Sequence, residues 1–183
     1  MVFDNHTHTT ISNLRLLDCI NDPIQLIDKA IELGLAGIAI TDHEALCAHM
    51  DVNEYAKKLQ ETHPEFTIAL GDEIYLTDTR DKGQKYYHFI LIAKDAIGHR
   101  CLRELSTKAW LNSYYDRGME RVPLLKEELE SIYSRFRGHL IATTACLGGE
   151  LGTAVLNLID CENALDTINA QRYHNQIAVF LEY

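Results

Sequence analysis

Much of what this 183-residue sequence can do is bounded by what it lacks. There is no Cys-x-x-Cys, and the five cysteines (Cys19, Cys47, Cys101, Cys146 and Cys161) are odd in number and irregular in spacing. That excludes a disulfide framework and a zinc ribbon, and it fits a reduced, cytoplasmic setting. No apolar run approaches the roughly 18 residues that a membrane helix needs, and no charged N-terminal region leads into one, so neither a membrane span nor a secretory leader is expected. The Gly-x-Ser-x-Gly elbow of serine hydrolases and the P-loop are missing too, and Gly148-Gly149 is too short to cradle a phosphate. Basic residues number 17 against 27 acidic ones, a net charge of −10. A surface that acidic is no general glove for nucleic acid; contact with DNA requires a local basic patch or a metal ion.

Hydrophobic residues make up 46% of the chain, enough for one sizeable core, and no repeat or linker divides it. The apolar run Met1-Val2-Phe3 reads as a strand ending at Asn5-His6-Thr7-His8-Thr9. Residues two apart in a strand share a face, so His6 and His8 present two imidazoles together. Asp22-Pro23 opens a helix with Asp as N-cap and Pro at the first helical position, and Gly34 closes it. Leu35 to Ile40 is a buried strand running into Thr41-Asp42-His43-Glu44. A helix over roughly 45–62 follows, then a strand, Phe66 to Leu70, leading to Gly71-Asp72-Glu73. Ile74-Tyr75-Leu76 and Lys85 to Ala93 read as a hairpin, with His88 in its second arm. A helix starts near Asp95, residues 113–123 form a polar, aromatic loop, and Pro123 begins another helix reaching about Phe136. Gly138 to Ala145 is a strand ending at Cys146-Leu147-Gly148-Gly149. Helices at about 150–159 and 161–174 precede a last strand, Ile177 to Tyr183. Strands alternating with helices predict an α/β fold, either a (β/α) barrel or an open doubly wound sheet.

Polar candidates recur where strands end: His6, His8, Asp42, His43, Glu73, His88 and Cys146, with Asp18 in the loop after the first strand. Imidazole, carboxylate and thiolate are good zinc ligands, and the first two also suit manganese or iron. Several such ions sharing a carboxylate lower the pKa of a water and clamp phosphate oxygens, which points to phosphoester hydrolysis. Each piece has a plainer reading: His6-Thr7-His8 as a chance pair, Asp42 as a helix cap, Cys146 as a small hydrophobe, His88 as a core histidine bonded to a carbonyl. Their recurrence at successive strand ends favours the site. His49, His63, His99, His139 and His174 read as surface or capping residues, and the other four cysteines as structural. Arg117 and Arg121, in an aromatic loop, could hold a phosphodiester or stacked bases; docking on a neighbouring domain is the competing reading.

With His6-Thr-His8, Thr41-Asp-His43, Gly71-Asp-Glu73, His88 and Cys146-Leu-Gly-Gly-Glu150 in place, the chain resembles the polymerase and histidinol phosphatase (PHP) family. Ser12 to Asp18, His88 to Lys94 and Ala145 to Glu150 resemble in particular the N-terminal PHP domains of bacterial DNA polymerase III alpha subunits. The resemblance implies a seven-stranded (β/α) barrel with up to three divalent metals, zinc foremost and manganese or iron as alternatives. His6 and His8 would hold one metal, and Glu73 would bridge it to a second on His88 and Cys146. Asp18 and His43 would hold the third, with Asp42 behind His43. The family pattern ends in an Asp-x-His motif, and none occurs in the last third of this sequence. Residues 1–183 are therefore expected to be an incomplete PHP domain lacking its last strand and two ligands.

The implied function is that of a metal-dependent phosphoesterase, a 3′–5′ exonuclease acting on the primer 3′ end of DNA. Its implied partners are the remaining polymerase domains and replisome proteins. A free-standing small-molecule phosphatase and a metal-holding structural module are the alternatives.

Overall fold

Asp22 starts the first helix as its sequence predicts: its carboxylate accepts from the N–H groups of Ile24 and Gln25, with Pro23 at the first position. The helix, α1 (Pro23–Glu32), ends at Gly34 with φ +72°, a left-handed conformation that glycine adopts without strain. A computed structural model describes residues 2–15, 17, 19–116 and 118–181, the side chains of 179–181 set aside. The chain forms two compact units, Met1–Thr143 and Thr144–Tyr183.

In the first unit β1 (Phe3–Thr7), β2 (Gly37–Ile40) and β3 (Thr67–Thr77) run parallel, with α1 and α2 (His49–Leu59) as crossovers. β4 (Tyr87–Ala93) returns antiparallel to the second half of β3, pairing Gly71 with Ile92 through Leu76 with Tyr87. After α3 (Ala96–Leu111) come the hairpin β5 (Tyr114–Asp116) and β6 (Met119–Arg121), β7 (Pro123–Leu125), α4 (Lys126–Tyr133) and β8 (Leu140–Thr144). The sheet order is β1-β2-β3-β4-β8, with β7 also paired to β3. Among the described residues β1 and β8 are the two ends of this path. The α/β fold is thus present as an open stretch of barrel wall rather than a closed ring.

β3 is the spine of the sheet. Its first four residues pair with β2, His43 then bridges to Glu73, and Tyr75–Thr77 pair with β7 on that same parallel side. Gly71 sits where the partners change, and a Cβ there would lie 2.6 Å from the carbonyl oxygen of Leu91, so only glycine lets the chains approach. Two apolar clusters flank the spine. One joins Ile27, Ile38, Ile40 and Val52; the other joins Ile74, Leu91, Leu102, Leu105 and Leu124. Each such side chain contributes about 1.5–3 kcal/mol by leaving water.

Several elements differ from the sequence expectation. β1 extends through His6 to Thr7. Residues 67–70 and 74–76 belong to one strand, because Gly71-Asp72-Glu73 finds ladder partners and does not turn. The 113–123 loop contains the β5–β6 hairpin. Pro123 belongs to a strand, not a helix; proline suits either a helix start or a strand's first residue, and here β3 offers it an edge. α2 begins at His49, since Glu44, at φ +46°, turns the chain while its N–H donates to the carbonyl of Glu73. His49 is not a surface residue: it is 3% exposed, its Nδ1 3.1 Å from Nε2 of half-buried His99.

The second unit holds α5 (Glu150–Asn163) and α6 (Thr167–Leu181), packed on each other and joined through Leu165 at φ +58°. The run from Ile177 is therefore helical as far as Leu181. A short apolar run cannot distinguish strand from helix by periodicity, and here it continues a helix begun at Thr167.

Candidate metal centre

Glu73 lies on β3, 1% exposed, with its backbone held on both sides: its N–H donates to the carbonyl of Asp42, and its carbonyl accepts from Glu44. These bonds bring the loop after β2 alongside and set His43 Nδ1 2.6 Å from Glu73 Oε2. His88, on β4 diagonally across the ladder, has Nδ1 2.8 Å from Oε1. His8 Nε2 is 3.0 Å from Oε2, and His6 Nε2 is 3.8 Å from Oε1. Four imidazoles from three places in the chain thus converge on one buried carboxylate. The donor atoms of His6, His8 and Glu73 lie within 4.8 Å of one another, as do those of His43, Glu73 and His88.

Neighbouring residues fix the rings. Thr41 Oγ1 lies 2.8 Å from His6 Nδ1 and is itself tied to the Thr7 backbone, leaving Nε2 of His6 to face Glu73. Asp42 is fully buried, and its carboxylate accepts from the Thr9 N–H, the Thr9 hydroxyl and the Ser12 hydroxyl. Ser12 Oγ in turn accepts from the His43 N–H. Asp42 therefore stitches the turn after His8 to the loop carrying His43.

Three of the four buried acids near here, Asp42 aside, have different fates. Burial by itself pushes Glu73 up, but hydrogen bonds from His43, His8 and His88 outweigh it and hold the carboxyl far below the usual carboxylate range. Glu44 and Asp72, both 0% exposed, go well above that range. Burial is the main cause for each, reinforced by Asp72 beside Glu44 and by Asp42 and Glu73 beside Asp72. Burial also lowers His6, partly offset by Glu73. Glu73 is thus the anionic centre of the cluster.

Of the sequence candidates, His6, His8, His43, Glu73 and His88 come together. His43 groups with Glu73 and His88, whereas the family resemblance pairs it with Asp18. Asp42 lies one layer behind. Asp18 and Arg117 fall outside the described residues. Cys146 is an exposed residue at the start of the second unit. Thr9, Ser12, Arg15 and Tyr75 were not anticipated. Tyr75 could have been, because it lies two residues after Glu73 on the same face of β3 and opposite His88. The donor set fits divalent metals: imidazole nitrogens and one ionised carboxylate, gathered and pre-oriented, suit zinc, manganese or iron.

Comparison with known proteins follows the same lines. The chain is 39% identical over 190 aligned residues to the "Probable DNA polymerase YorL" of Bacillus subtilis, covering 97% of this chain and 14% of that protein. It is 30% identical over 158 residues to DNA polymerase III subunit alpha of Borreliella burgdorferi, covering 82% of this chain and 12% of that one. The chain therefore spans about one seventh of the length of these curated relatives. A solved structure from Bifidobacterium adolescentis, described as a candidate metal-dependent phosphoesterase, covers 60% of this chain and 34% of its own at 21% identity. The two share a TM-score of 0.40. The PHP domain family model matches residues 4–182, and the chain belongs to that family.

Proposed function

We propose that this PHP domain is a metal-dependent phosphoesterase that serves a DNA polymerase, hydrolysing phosphodiesters as a 3′–5′ exonuclease at primer ends. The observation that carries the reading is the single buried carboxylate of Glu73 with four imidazoles turned toward it. His6, His8 and Glu73 would hold one ion, and His43, Glu73 and His88 another. Asp18 and Cys146 are the further ligands suggested by the family resemblance. Zinc is the foremost choice, with manganese or iron as alternatives. Bound divalent ions supply Lewis acidity and neutralise charge on phosphate oxygens. The chain's own residues do the positioning. Glu73 sets the spacing between the two groups, Thr41 aims His6, and Asp42 with Ser12 keeps His43 in place. Arg121 and, by the sequence reading, Arg117 would meet substrate phosphate. DNA, the remaining polymerase domains and replisome proteins are the partners this reading supplies, in the cytoplasm.

The test is hydrolysis of a single-stranded oligonucleotide with zinc or manganese added, wild type against His43→Ala. We expect a loss on the order of 10²-fold or more, since even residues behind the ligands cost 10–100-fold in such sites. Undiminished cleavage would move the chemistry elsewhere.

A further inference from the structure

Beside the metal centre lies a cavity of about 180 Å³, and the reading above gives no role to its Arg15, Tyr75 or Tyr86. Arg15, Tyr75, Tyr86, His88, Met119 and Arg121 line it. His88 belongs to both places: its Nδ1 bonds Glu73, and its ring forms part of the cavity wall. The cavity is smaller than the roughly 300–1,000 Å³ that encloses a whole drug-sized ligand. It suits a fragment the size of a phosphate with part of its sugar or base.

The two guanidiniums are built in. Arg15 lies 5.7 Å above the rings of both Tyr75 and Trp110, and Arg121 lies 5.8 Å above Tyr86. A guanidinium within about 6 Å of a ring centroid is held by cation–π attraction, which leaves its N–H groups available to an acceptor. Their acceptors are neutral: Arg15 Nη1 donates to the carbonyl of Glu120, and Arg121 Nη1 to Met119 Sδ at 3.2 Å. The Nε atoms of both are buried without a hydrogen-bond partner among the described residues. Burial holds Arg15 below its ordinary range; Tyr75, Glu44 and Glu120 oppose this, and the like charge of Arg121 adds to it. Two half-buried cations side by side, with donors to spare, are an arrangement that an anion relieves. Phosphate accepts bidentate hydrogen bonds from such forks.

We propose that Arg15 and Arg121 form a second phosphate subsite, holding the phosphate next to the scissile one. The proposal rests on the phosphoesterase reading and sharpens it. The site would select substrates carrying consecutive phosphates, an oligonucleotide or a polyphosphate, over simple phosphomonoesters. Tyr75 and Tyr86 would give the adjoining sugar or base an aromatic wall, a contact indifferent to sequence.

Two measurements on the full chain test this. With metals chelated by EDTA, fluorescence anisotropy follows labelled trithymidylate, and calorimetry follows inorganic pyrophosphate. We expect at least one to bind the wild type, and Arg15→Ala and Arg121→Ala each to weaken that binding at least tenfold. Preference for trithymidylate assigns the subsite to nucleic acid, and preference for pyrophosphate to polyphosphates. No binding of either, or equal binding by wild type and variants, overturns the proposal. With manganese added, Arg15→Ala should raise KM for trithymidylate at least tenfold while leaving kcat and KM for p-nitrophenyl phosphate within twofold. Equal losses on both substrates would also overturn it. Absence of all hydrolysis with metal-free binding intact would instead sink the phosphoesterase reading and leave the subsite standing. Thermal melts check folding; where an alanine variant does not fold, Arg15→Lys and Arg121→Lys, which keep the charge and lose the fork, should weaken binding at least threefold, and unchanged binding by them counts against the proposal.

Discussion

Two groups of histidines are drawn into the first unit, and they behave in opposite ways. Around Glu73, four imidazoles point a nitrogen at one ionised carboxylate. At the start of α2, the side-chain partner of His49 is another imidazole, that of His99. Burial there lowers His49 to about 4; His99 adds to the effect, and the carbonyls of Gly71 and Ile40 only partly oppose it. The contrast shows what makes buried histidines into a cation site. Geometry alone does not, because both groups have nitrogens about 3 Å from a partner. A buried acid held ionised at the centre is what favours a metal, and no acid figures among the groups that shift His49 or His99.

The largest expected effect comes from breaking one histidine in each group. His88→Ala should reduce zinc or manganese affinity on the order of 10²-fold in equilibrium dialysis, since it removes a ligand rather than a supporting group. His99→Ala should leave metal content unchanged. Equal losses from the two variants would erase the distinction between the groups.

A smaller effect separates them by pH. The folded chain holds His49 near 4, while the unfolded chain titrates it near the ordinary 6.5. Its contribution to stability is complete above about pH 6.5. It is lost as pH falls toward 4, because only the unfolded state then takes the proton. The loss amounts to about 3 kcal/mol over that window at roughly 1.4 kcal/mol per pH unit. Urea melts at pH 7 and pH 4.5 should show a steeper fall for wild type than for His49→Leu. Parallel curves for the two proteins would mean that His49 is not held neutral.

The clustering of His43 with Glu73 was legible because an apolar run gives way to polar residues at each, as at Ile40 to Thr41-Asp42-His43. The alternation that set His6 beside His8 is equally visible in the sequence, and their rings lie 4.7 Å apart. Other features depended on pairing that no local pattern reveals. Gly71-Asp72-Glu73 looks like a strand end, yet β4 carries it through the middle of the longest strand. The three-residue strands β5, β6 and β7 are too short for periodicity and exist because an edge was open to them. His49 reads as a surface or capping residue from its neighbours, and only the packing of α2 buries it. Arg15 gave no signal at all: it stands in an irregular loop, and its role emerges only when β6 brings Arg121 to it.

The central claim is that Glu73 ionises at the heart of the cluster so that it can join two metal groups. Metal analysis of the purified chain beside Glu73→Ala, both dialysed against equal zinc or manganese, tests it most directly. The account predicts more than one ion per chain in the wild type and less than a tenth of that in the variant, with the thermal melt confirming that the variant is folded. Unchanged metal content in a folded Glu73→Ala chain would contradict it.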